Sequence, residues 1–122
     1  MFNLIYRDGA RENAGRYETL EKADASAKLE CGTAVELSGG KAAEATDAVY
    51  GIVAADSSEG ESSVVVLKVE HDMVFAVPAT VTGLVKGDKV TLVDATKVGA
   101  KGDGPATIVN ICEGNRVEVR FE

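Results

Sequence analysis

The stretch from Ser63 to Pro78, S-V-V-V-L-K-V-E-H-D-M-V-F-A-V-P, decides the fold class. Val65, Leu67, Val69, His71, Met73, Phe75 and Val77 fall on one parity, and Lys68, Glu70 and Asp72 fall on the other. Successive side chains of a strand point to opposite faces, so this alternation describes a ribbon with one buried and one wetter face. The Glu70-His71-Asp72 step in the middle reads as a tight turn or bend. Met73, Phe75 and Val77 are the expected core. Pro78 has no N–H to give to a ladder and is the expected stop.

Outward from the ribbon the same grammar continues. Thr33 to Leu37 reads as a short strand, Ser38-Gly39-Gly40-Lys41 as a hairpin turn, and Lys41 to Thr46 as a weak return strand. Ala48 to Val53 is a strand with Gly51 inside it, and an internal glycine marks a bulge or a close backbone approach. Asp56 to Ser62 is a polar loop. On the other side, Ala79 to Gly83 is a connector, and Val85 to Asp88 a turn that launches a strand from Lys89 to Val93. Asp94 to Thr96 turns again, Lys97 to Ala100 is a short strand, and Lys101 to Pro105 is the strongest breaker in the chain. Ala106 to Cys112 is apolar on both faces and reads as a central strand, with Cys112 as a small core hydrophobe. Glu113 to Asn115 makes the last turn, after which Val117, Val119 and Phe121 alternate with Arg116, Glu118, Arg120 and Glu122.

Many short strands joined by Gly-rich turns predict an all-β protein, a small antiparallel β-barrel or sandwich, in a single domain over residues 29–122. Residues 1–28 read differently. Phe2, Leu4 and Tyr6 alternate as in a short strand, but Arg7 to Arg16 is polar and Gly-containing. Glu18 to Lys28 has helix-forming residues whose apolar positions are nearly all Ala, so a helix there would bury little. The expectation is an extended N-terminal arm that orders on a partner, with a short helix as the alternative.

Composition narrows the function. The 122 residues are 45% hydrophobic, mostly Val and Ala, and only 5% aromatic. A core of such small side chains points to support from a neighbouring subunit. The net charge is −7 and the pI about 4.7, with Lys and Arg never in a run of three. Binding nucleic acid requires clustered cations that release counterions, so direct nucleic-acid binding is not expected. No segment approaches the roughly 20 apolar residues that span a bilayer. Met1 to Tyr6 lacks the form of a signal peptide, so the chain is expected to be made and kept in the cytosol unless it leaves as part of an assembly.

No catalytic constellation accompanies this pattern. His71 is the single histidine and neighbours Asp72, but adjacent strand residues face opposite ways, and one His makes neither a triad nor a metal site. Ser57, Ser58, Ser62 and Ser63 lie in or beside a polar loop, outside any G-x-S-x-G elbow. Gly99, Gly102 and Gly104 imitate a phosphate loop by composition, but no G-K-[ST] follows. Asp94, Asp103 and the acids of residues 56–61 lack the spacing of a calcium loop. Cys31 and Cys112 have no second Cys or His at metal-ligand spacing, and a disulfide between them stays open. No catalytic, cofactor-binding or metal-binding residue is expected, and the chain does not read as an enzyme. A small ligand-binding β-barrel, drawing on His71, Tyr50 and Asp72, is the alternative from a different class, and predicts a concave pocket with convergent polar groups.

The span Leu29 to Val53 carries a Gly-Lys turn, an Ala-Thr step and the G-I-V strand. It is followed by V-F-A-V-P from Val74 to Pro78 and L-V-K-G-D-K-V-T-L from Leu84 to Leu92. This order resembles the tailed-phage head decoration (capsid cement) proteins of the lambda type and related prophage capsid-stabilising families, from Leu29 to the end of the chain. The resemblance implies a β-rich, non-enzymatic structural protein, trimeric in many relatives, seated on the major capsid protein at the virion surface. It also implies attachment through an N-terminal arm, for which residues 1–28 are the matching segment. A head–tail joining or tail component is the alternative within the same class.

Overall fold

A computed structural model describes residues 1–7, 16–70 and 72–121. These form eleven strands and no helix: β1 (Asn3–Arg7), β2 (Arg16–Glu21), β3 (Ala34–Ser38), β4 (Lys41–Glu44), β5 (Gly51–Val53), β6 (Ser63–Lys68), β7 (Met73–Pro78), β8 (Lys89–Asp94), β9 (Lys97–Lys101), β10 (Ala106–Cys112) and β11 (Arg116–Phe121). Two antiparallel sheets result, one ordered β1-β7-β11-β10-β8-β9 and the other β2-β6-β5-β3-β4. Single parallel bridges, Ala79 with Val98 and Lys22 with Ala42, draw non-neighbouring strands of each sheet together at one end. Both sheets are therefore curled, but neither closes, and they stack as a sandwich.

The opening ribbon is what joins the sheets. β6 belongs to the smaller sheet and β7 to the larger, so the chain passes from one sheet to the other between Lys68 and Met73, and the two strands do not pair with each other. Phe75 is fully buried in the main core with Met73, Val77, Val117, Val119 and Ile108. Its ring lies 5.5 Å from Phe121, which in turn lies 5.3 Å from Phe2. Three tilted aromatics thus supply the large anchors that a Val- and Ala-rich core otherwise lacks. β7 ends at Pro78, as its missing N–H requires.

A second, smaller core lies on the other face of the five-stranded sheet. It is made of Leu29, Val35, Ala42, Val53, Val64 and Val66, with Leu20 against it. This corrects the reading of the first half of the ribbon. Even-numbered Val64 and Val66 are buried there, Leu67 joins the main core, and Val65 is 37% exposed. A strand between two cores has no single inward parity.

Several turns follow the sequence directly. Gly39 and Gly40 take φ of 58° and 83°, the left-handed pair of a two-residue hairpin, and the strands they join pair from Ser38–Lys41 to Val35–Glu44. At Gly51 a Cβ would stand 2.8 Å from the Leu67 carbonyl oxygen, so the internal glycine marks a close backbone approach.

Two expectations fail. The described part of residues 1–28 is not a separate arm and contains no helix. β1 pairs with β7, and β2 pairs with β6 over six residue pairs, from Arg16–Lys68 to Glu21–Ser63. The Phe2 side chain, 2% exposed, pins the start of β1 into the main core. An Ala-rich helix would leave the flank of β6 unpaired, whereas a strand satisfies it and brings Leu20 to the second core. Cys112, moreover, is exposed and is not a core residue. β8 reaches only Ala106 and Thr107 of β10, and the β10–β11 register shifts between Ile108 and Asn110. The far half of β10 is therefore central to nothing, and Asn110, Ile111 and Cys112 project into solvent.

Candidate functional site

The residues proposed from sequence as polar contributors do not form a described site. His71 lies outside the described residues. The Tyr50 hydroxyl donates to Glu18 on β2, 2.7 Å from Oε1 and 2.8 Å from Oε2. That hydrogen bond to a carboxylate pushes the phenol pKa up. The Lys68 ammonium stands 5.8 Å from the centroid of the Tyr50 ring. Tyr50 thus cross-links β2 to the segment before β5 and is not aimed into a cleft. Asp72 is half-buried at the start of β7.

The polar loops are closed on themselves. Asp94 Oδ1 accepts from the Thr96 hydroxyl at 2.6 Å and the Thr96 amide at 2.7 Å, which together hold its carboxyl below the usual carboxylate range. Asp56 accepts from the Cys31 amide at 2.7 Å. Asp88 accepts from the Val85 amide at 2.9 Å and pairs with Lys101 at 3.4 Å. The Gly102 amide donates to the Lys89 carbonyl at 2.9 Å, so this loop's N–H is given to the neighbouring strand. Among the described residues, no three His, Cys, Asp or Glu side chains stand together as a metal site. Both cysteines are exposed and free, and partial desolvation, followed by the nearby Glu118 carboxylate, pushes the Cys112 thiol pKa up.

The structure also brings together a pair that sequence reasoning missed. Lys22 is 4% exposed, and Ser57 is 1% exposed. The Lys22 ammonium donates to Ser57 Oγ at 3.1 Å and to the Ser58 carbonyl at 3.0 Å, while Ser57 Oγ donates to the Ser63 carbonyl at 2.8 Å. A buried cation must be hydrogen-bonded, and here it ties the segment after β2 to the 54–62 loop. In sequence Lys22 is one more polar residue of an Ala-rich stretch. Nothing in its local pattern marks burial.

Among the described residues, one concave feature with the form of a site is apolar. Where the two sheets meet, a slot of about 210 Å³ opens between β1 and β2. Its floor is core: Phe2, Ile52, Leu67 and Phe75. Its lips are Leu4, 39% exposed, and Tyr17, 65% exposed. β1 and β2 are each the terminal strand of their sheet, so the slot is bordered by two sheet edges. Such edges carry backbone donors and acceptors that a neighbour can pair with. Ile5, on β1, adds a further exposed large apolar side chain. An apolar slot with exposed apolar lips is a form that interaction sites take in proteins. No protein-family model, curated protein or solved structure matches the chain.

Proposed function

We propose that this protein is a non-catalytic structural component of a phage particle, which binds the major capsid protein of an assembled shell and stabilises it as a trimeric decoration protein. The observation that carries the reading is the apolar slot, whose Tyr17 and Leu4 lips overlie core residues and suit protein contact better than a small polar ligand. The turn-and-strand order that resembles capsid cement proteins supplies the class of partner. Its Gly39-Gly40 turn, its G-I-V strand, the strand that stops at Pro78 and the turn before Lys89 all serve as structural joints here. A surface with net charge −7 keeps a decorated particle well solvated.

The test is to mix the purified protein with empty shells of its own phage or prophage and measure bound copies and shell melting temperature. The expected result is saturating binding at hundreds of sites and a higher melting temperature, with the native mass of the free protein giving its oligomeric state. A few copies per particle would instead favour a joining or tail component. Absence of binding overturns the reading. Tyr17→Ser is expected to weaken binding at least tenfold while leaving the protein folded. Wild-type binding by that variant would remove the slot from the interface and leave the rest of the proposal standing.

A further inference from the structure

We draw no further inference here: the strongest candidate, the Lys22–Ser57 amine–hydroxyl cluster beside the second core, carries nothing because both side chains are buried and their hydrogen bonds to Ser58 and Ser63 are used in tying two segments of the fold together.

Discussion

β6 and β7 are halves of one ribbon with one sequence grammar, yet the fold uses them differently. In β7, Met73, Val74, Phe75 and Val77 are all fully buried, so both parities are covered. In β6 the faces separate: Val64 and Val66 enter the second core, Leu67 reaches the first, and Val65 overhangs into solvent. Both strands have a partner on each side, so hydrogen bonding does not distinguish them. What differs is the material on their faces. Alternation identifies a strand, but which parity is inward depends on where other elements pack.

The sharpest way to probe the contrast is to remove the largest anchor of β7. Phe75→Ala should cost about 3–5 kcal/mol in urea unfolding, since it deletes a buried ring and leaves a cavity. A loss below about 1 kcal/mol, the size of an ordinary substitution, would deny Phe75 its place at the centre. Within β6, Val66→Ala should cost about 2 kcal/mol through lost burial and a small cavity. Its neighbour Val65→Ala should stay within about 0.5 kcal/mol. Equal losses at the two positions would erase the two-core description.

The second core has a polar clamp beside it, which gives the next test. Lys22→Met should destabilise by about 1–3 kcal/mol, because the buried Ser57 hydroxyl and the part-buried Ser58 carbonyl lose their donor. Combining it with Ser57→Ala should cost less than the sum of the single changes, since both belong to one network. Additive losses would show that the two side chains do not act together.

The smallest effect is a pH dependence at the β8–β9 turn. The carboxyl of Asp94 has a folded pKa below its ordinary 3.8, caused first by the Thr96 hydroxyl and then by the Thr96 amide. A depressed carboxylate pKa contributes stability that is fully present above the unfolded value. It is lost as pH falls through 3.8 toward the lower folded value. Asp94→Asn keeps an acceptor oxygen but cannot titrate, so its stability should fall less steeply than that of the wild type below pH 3.8. An unchanged slope would assign the acid sensitivity to other groups, such as Asp88 or Asp24, whose carboxyls are also held low.

Much of the strand-and-turn pattern was legible in the chain. The inward set Val117, Val119 and Phe121, the stop at Pro78 and the Gly39-Gly40 hairpin each rest on local rules of period, missing N–H or permitted φ. The slot was not legible. Its lips, Leu4 and Tyr17, are separated by a polar stretch and belong to different sheets, and its floor comes from four segments. Lys22 was equally hidden, because its two acceptors lie 35 and 36 residues away.

The sequence by itself determined that this protein is built of short antiparallel strands, since side-chain period and turn chemistry act within a few residues. Only the tertiary structure decided that the ribbon divides between two sheets, that residues 3–7 and 16–21 join those sheets as their end strands, and that β6 lies between two cores. Those outcomes depend on which edges find partners and which faces find cover. Both are contacts between residues far apart in the chain, and no local period encodes them.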